Sequence, residues 1–293
     1  MIEPFPPSSG DDATFDPTEF DATLARRSFV RRNPLASAGI AILALYILLA
    51  VFGPSFVADP IATHPTSAFQ SPSPDHWFGT DQFGRDVFAR AVHSARLDLA
   101  IGVTIALAAM VIGSLIGLIA GYWGGWVDEV IMRITDVVLA FPGFVLALIL
   151  VAVIGNSIPN VAVAVTVAYI PYFIRLTRAE VLSQREMEYV DGARLAGNPP
   201  WRTALRHVLP NSLESSLVQA TLVAGWSILT VAGLAFLGVG IRPPTAEWGV
   251  MVAEGAPQII TGQWWTSLFP GGMIVLAVMA FHFIGDEFGG EGY

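Results

Sequence analysis

Six stretches of this chain are apolar over the length a helix needs to cross a bilayer, and that recurring length constrains the fold more than any motif does. They run from about Leu35 to Val57, Leu97 to Ala120, Val130 to Ile154, Ile158 to Leu176, Leu217 to Val239 and Leu268 to Ile284. Lipid offers no partner for backbone N–H and C=O groups, so such runs must close their hydrogen bonds within themselves as helices. The composition agrees, with 54% hydrophobic and only 13% charged residues among 293. The fold class is therefore an all-α integral membrane protein of six transmembrane helices.

The basic residues orient these spans. All 15 are arginine. An even number of spans with the N-terminus inside puts positions 26, 27, 31, 32, 133, 175, 178, 185, 194, 202 and 206 on or near the inner face. Only 85, 90, 96 and 242 are left outside, as the excess of inner-face arginine requires. Both termini are then cytoplasmic. Residues 1–34 form a cytoplasmic tail whose first 25 residues, rich in Pro, Asp and Thr, read as disordered. The first span, 35–57, is followed by an extracytoplasmic segment, 58–96, and a five-span core, 97–288.

What the chain lacks also excludes functions. Without cysteine there is no disulfide framework or thiolate metal site. Without lysine there is no phosphate-binding loop of the G-x-x-x-x-G-K-[ST] type and no Schiff-base lysine. A net charge of −9 argues against nucleic acid. No His/Asp/Glu cluster has metal-ligand spacing. The chain is expected to carry no cofactor and to catalyse nothing itself.

Within the spans, Gly113, Gly117 and Gly121 recur at four-residue spacing and predict a close helix contact. Arg133 and Asp136 are expected to pair locally, and Pro142 to kink the third span. Trp248, Trp264 and Trp265 suit an interfacial belt.

The polar insert between the fourth and fifth spans, 180–213, interrupts this pattern. It reads as two short helices, the first from about Glu180 to Ala196, the second ending near Leu209-Pro210. Gly197-Asn198 supplies the stop, and Asn198 can cap the second helix. Val190, Ala193 and Gly197 share one face of small side chains, which would let another protein's backbone approach. A second polar stretch lies before the second span: Gly79-Thr80-Asp81, then Gly84-Arg85-Asp86 and Arg90. There Thr80 or Asp81 can cap a helix, with Arg85 four residues after Asp81. The simplest reading of that stretch is an interfacial helix with an internal ion pair.

Asp191-Gly192-Ala193, three residues, Gly197, nine residues, then His207-Val208-Leu209-Pro210 resembles the signature loop of ABC importer permeases. That family's pattern is Glu-Ala-Ala, x3, Gly, x9, Ile-x-Leu-Pro. Asp191, Gly192 and His207 depart from it, and Gly192 in place of Ala should loosen the helix by about 1 kcal/mol. The stretch from Gly79 to Asp286 is similar to the dipeptide/oligopeptide/nickel branch, including Glu247-Trp248-Gly249, Phe269-Pro270-Gly271 and Gly285-Asp286. His282 stands where that branch has Asn. The resemblance implies the ABC importer permease fold with a cytoplasmic coupling-helix loop. It also implies a prokaryotic cell-membrane location and the following partners: a second homologous permease, two ABC ATPase subunits that bind ATP and Mg, and an extracytoplasmic solute-binding protein. By the same resemblance Glu188, Tyr189, Asp191, Gly192, Ala193, Gly197, Leu209 and Pro210 would dock an ATPase. Peptides are the expected solute, with nickel complexes, glutathione and oligosaccharides as alternatives.

Two other classes compete with this one. An ion-coupled transporter or channel would need intramembrane charges or an inverted repeat, and neither is evident. An intramembrane serine protease would need Ser114 and His282 together, but each is better read as packing.

Overall fold

The computed structural model describes residues 33–290; the expected N-terminal tail and its arginine cluster lie outside them, apart from Asn33 and Pro34. Among the described residues the chain is helical, with no strand beyond an isolated bridge between Thr80 and Asp86. In order, the helices are α1 (Pro34–Phe52), α2 (Val87–Trp123), α3 (Gly125–Leu139), α4 (Gly143–Ile154) and α5 (Ile158–Gln184). After these come α6 (Glu188–Leu195) and α7, which is built from Pro200–Thr203, a π-helical stretch Ala204–Val208, and Leu209–Asn211. The chain continues with α8 (Glu214–Phe236), α9 (Trp248–Gly255) and α10 (Trp265–Gly290).

Among the described residues five helices (α1, α2, α5, α8 and α10) are long and apolar enough to cross a membrane; α3 and α4 together would make a sixth span, bent by 88°. The kink expected at Pro142 is thus a full break. Proline lacks the N–H that would continue the ladder and pushes Phe141 out of the helical region. Neither half reaches across a ~30 Å hydrocarbon layer at ~1.5 Å per residue. The second span also starts earlier than its apolar run. Asp86 accepts a hydrogen bond from Ala89 N at 2.8 Å and caps α2 at Val87, so residues 87–96 belong to the helix rather than to the polar segment before it.

The glycine spacing does what small residues in lipid do. Gly113, Gly117 and Gly121 lay α2 directly on the backbone of α5. A Cβ at Gly117 would stand 2.7 Å from the Ile174 carbonyl oxygen and 3.0 Å from Thr177 Cβ. Beside this seam Thr177 joins the hydroxyls of Ser114 and Ser216, each at 2.9 Å, tying α2, α5 and α8 together in the buried interior. Ser114 is therefore a packing residue. His282 is one as well, its Nδ1 3.0 Å from the Val278 carbonyl and its ring edge-on to Trp226. Gly117→Val should push α2 off α5. A cost of about 1–3 kcal/mol is expected, seen as a lower thermal midpoint in detergent and less protein in the membrane.

Two of the three tryptophans assigned to an interfacial belt are buried instead. Trp248 at the start of α9 donates its indole N–H to the Ala91 carbonyl at 2.9 Å, and Trp265 donates to the Thr80 carbonyl at 3.1 Å. Only Trp264 is exposed. An indole N–H buried in a bundle needs such an acceptor, and both find it on the segments that meet α9 and α10. The expected Arg133–Asp136 pair is replaced by one across helices, Arg175 to Asp136.

Candidate functional site

The insert 180–213 leaves the bundle later than its composition suggests. α5 runs on to Gln184, the chain turns at 185–187, and α6 begins at Glu188. The turn has a geometric cause. Val181 and Val190 are both buried in one cluster with Leu118, Ala204 and Val208. Nine residues apart on one helix, they would face roughly opposite ways, so a break is needed to bury both. Val190 consequently packs on the chain's own α2, α5 and α7, and Ala193 is buried too, so the face of small residues does not point outward as expected.

Gly197 ends α6 as its sequence requires. Its φ is +82°, the left-handed conformation that side chains with a Cβ resist. Gly197 N donates to Arg194 O at 3.0 Å and Asn198 N to Ala193 O at 3.3 Å, the two bonds of a Schellman cap. Asn198 adds its side-chain amide to Ala193 O at 3.0 Å, so it closes α6 rather than capping α7. Nothing lies within 4 Å of a Cβ built on Gly197; its role is to set direction, not to admit a neighbour.

α7 is amphipathic in the same sense. Thr203, Ala204 and Val208 point inward; Trp201 and Leu205 point out. Pro210 has no N–H to return to the Arg206 carbonyl, and the helix widens to a π turn just before it. Leu209 is half-buried and Pro210 exposed. The outer surface of the insert exposes large apolar side chains, among them Leu195 (90% exposed), Trp201 (59%) and Leu205 (46%). Glu188, Tyr189, Asp191, Gly192, Arg202 and Arg206 are exposed as well. None of the three apolar residues stands out from the sequence alone. Their signal is there: Trp201 and Leu205 are four apart, offset from the Ala204 and Val208 pair.

Polar contacts tie the insert to the bundle. Arg185 donates to the Gly121 carbonyl at 2.8 Å. Arg178 grips Asp128 with two guanidinium nitrogens, and the Arg194 guanidinium lies 5.9 Å from the Tyr122 ring centre. These contacts bind α6 and the end of α5 to the α2–α3 turn, so a displacement of the insert would carry three helices with it.

At the opposite end of the bundle residues 79–86 form a turned clasp, and the helix begins only at Val87, with Arg90 in its first turn. Gly79 and Gly84 both turn with positive φ. The Thr80 hydroxyl accepts from Gln70 N at 2.8 Å and donates to Ser67 O. Asp81 Oδ1 accepts from Phe83 N and Arg85 N at 2.9 and 3.0 Å, folding a turn, while Oδ2 takes Arg85 Nε at 2.6 Å. Asp86, not Thr80 or Asp81, caps the helix that follows. Arg85 and Arg90 then both reach Glu254 Oε2 at 2.9 Å, from α9 far along the chain. Both arginines are buried. Beside this clasp Glu247 caps α9 through Val250 N at 2.7 Å, and burial pushes its carboxyl above the ordinary carboxylate range.

A family described as the inner membrane component of binding-protein-dependent transport systems matches residues 113–287, which take in the insert, and the N-terminal transmembrane domain of oligopeptide transport permease C matches residues 23–72. Among curated proteins, a dipeptide transport system permease of Alkalihalophilus pseudofirmus is 44% identical over 258 residues, covering 88% of this chain and 84% of its own. A glutathione transport system permease of Pectobacterium atrosepticum is 38% identical over 267 residues (89% and 86%). An oligopeptide transport system permease of Bacillus subtilis is 35% identical over 287 residues (98% and 94%). With a membrane-spanning helical bundle and a match of this extent, the chain belongs to the permease family of binding-protein-dependent ABC importers.

Proposed function

We propose that this chain is one of two permeases that together form the path of a peptide importer, driven by ATP hydrolysis in separate subunits. The observation that carries this is the exposure of Leu195, Trp201 and Leu205 on a cap-fixed helical insert. Large apolar side chains exposed together with charged ones are the make-up of a protein-binding surface. On this reading the insert faces the cytoplasm and both termini lie there, with 53–86 and 237–264 facing the solute-binding protein outside the cell membrane. Glu188, Tyr189, Asp191 and Gly192 contribute to the docking rim, while Ala193, Gly197, Leu209 and Pro210 hold the shape of the insert. The Gly79–Asp86 clasp fixes the outer entrance. ATP and Mg are held by the two ATPases and not by this chain, which has no lysine for a phosphate loop.

The mechanism is alternating access. Closure of the ATPase pair moves the docked insert, and the Arg178, Arg185 and Arg194 contacts transmit that motion to α2, α3 and α5. A docked element shifts the permease only if it engages the two ATPase states differently or moves with them as a body. Substrate assignment leans on relatives named for dipeptide, oligopeptide and glutathione transport; glutathione is itself a tripeptide. The test is purification of this chain alone and with its co-expressed partners. Alone it should hydrolyse no ATP. With them it should retain the ATPases and sustain peptide uptake into vesicles. Azide-resistant ATP turnover by the isolated chain, or failure to retain any ATPase, would overturn the reading.

A further inference from the structure

Two acidic side chains meet in the buried interior where α9 reaches α2, and among the described residues neither pairs with a basic group. Asp98 stands at the start of the second apolar run, and Glu247 lies just before α9; both are buried. The main chain of α9 brings them together. Asp98 Oδ2 accepts from Trp248 N at 3.1 Å and Glu247 Oε2 from Val250 N at 2.7 Å, so both carboxyls sit on the first turn of one helix. They are hydrogen-bonded to each other as well. The surroundings are close-packed: a Cβ on Gly249 would stand 2.4 Å from Ala232 Cα on α8.

The other charges nearby are committed elsewhere. On α2, Arg90 stands about two turns before Asp98; it and Arg85 are held by Glu254 of α9 and by Asp81. His93 feels the charge of Asp59, and Arg96 and Arg242 are exposed. On α1, Tyr46 lies against the Trp248 ring and gives its hydroxyl to the Met273 carbonyl at 2.9 Å. The titratable side chains of α8 and α10 are Glu214, His282, Asp286 and Glu287, all toward the insert end. Two carboxylates in contact away from water cannot both ionise when nothing offsets the second charge. A single negative charge does fit, because the N–H groups opening α9 point at the pair. The other carboxyl keeps its proton and donates it to its neighbour. Burial already holds Glu247 above the ordinary carboxylate range.

We propose that Asp98 and Glu247 hold one proton between them at neutral pH, and that this shared proton latches α9, with the Glu254 contact it carries, onto α2. Losing the proton leaves two buried anions in contact, so the latch weakens in alkaline conditions. In the unfolded chain both carboxyls are ordinary acids, so the folded pair binds more protons. Its contribution to stability is therefore full below about pH 4 and is lost as pH rises through the pair's higher folded range.

The full chain in detergent is followed by infrared difference spectroscopy and by thermal unfolding, from about pH 6 to about pH 10. Wild type should lose the C=O stretch of a protonated carboxylic acid as pH rises, and isotopic labelling of Asp and Glu should shift that band. Asp98→Asn and Glu247→Gln keep the shape of the pair and put an amide hydrogen where the shared proton was. Both should lack the band. Over the same range their thermal midpoints should fall less than that of wild type, by about 3 °C or more. A wild-type protein with no such band at the acidic end, or with one that has not declined at the alkaline end, would overturn the proposal; this arm needs no variant to fold. So would a band that survives in both variants, or midpoints that run parallel in all three proteins. A wild-type midpoint raised by added sodium or calcium chloride, with both variants unmoved, would make the pair a cation site and overturn it too.

Discussion

Trp201→Glu is expected to abolish uptake while leaving the permease folded in the membrane at wild-type level. The side chain projects from the outer face of α7 and is more than half exposed, so replacing it leaves no cavity inside this chain. An exposed tryptophan on a docking surface is the kind of residue whose removal costs an interface about 2–4 kcal/mol. That corresponds to about a 30- to 1000-fold weaker complex. The charge adds the cost of burying an unpaired carboxylate in the contact. ATPase retention on the immobilised permease should fall accordingly, with the thermal midpoint of the isolated chain unchanged. Gly197→Val should be milder. It opposes the left-handed cap by about 1–2 kcal/mol, yet no neighbour stands close to that position, so α7 would be re-aimed rather than deleted.

Glu254→Ala should be the most damaging single change at the other end. Arg85 and Arg90 are 3% and 1% exposed, and both donate to one Glu254 oxygen. Without it, two buried guanidinium groups share Asp81, and Arg85 already takes its closer bond. Removing one partner of a buried charge network costs about 3–5 kcal/mol. Thermal unfolding in detergent should show a midpoint far below wild type. ATPase retention by the surviving folded fraction should be normal, because the clasp and the insert lie at opposite ends of the bundle. Arg85→Ala should be milder, since it removes a cation and leaves Glu254 paired with Arg90.

How much of this was legible in the sequence depends on whether a feature is decided locally. The spans follow from apolar length. Gly113, Gly117 and Gly121 state their own purpose, because only a close helix contact needs a bare backbone every four residues; which helix lies across from them is not written there. Gly197 is equally explicit, and its left-handed cap is where the spacing puts it. By contrast, Val190 and Ala193 announce a close contact without saying whose. A small-residue face looks the same whether it meets a partner or its own chain, and here Leu118 and Val181 occupy it. Pro142 signals a break but not its 88° angle; α4 lies in a buried cluster with α5, through Ala147 and Val151, and that contact is not written locally. Asp81 and Arg85, four apart, imitate a helical pair; the glycines at 79 and 84 are the local sign that the backbone turns instead. Glu254 carried no such sign. Its partners are far upstream in the chain, and only the docking of α9 against the outer loop joins them. Trp248 and Trp265 look interfacial in the sequence for the same reason, since the carbonyls that receive their indole N–H groups come from distant segments.

On the proposed function, the ATPase binds the outer face of α6 and α7. The cysteine-free chain allows the most direct test of it. Leu195→Cys places one thiol at the most exposed point of that face, and Thr261→Cys places one in the exposed loop at the other end. In the assembled importer, a short thiol-to-amine crosslinker should join the Leu195→Cys chain to an ATPase subunit and leave the Thr261→Cys chain free of it. A crosslink to the ATPase from the Thr261→Cys thiol, or none from the Leu195→Cys thiol in a complex that still imports, would place the ATPase elsewhere.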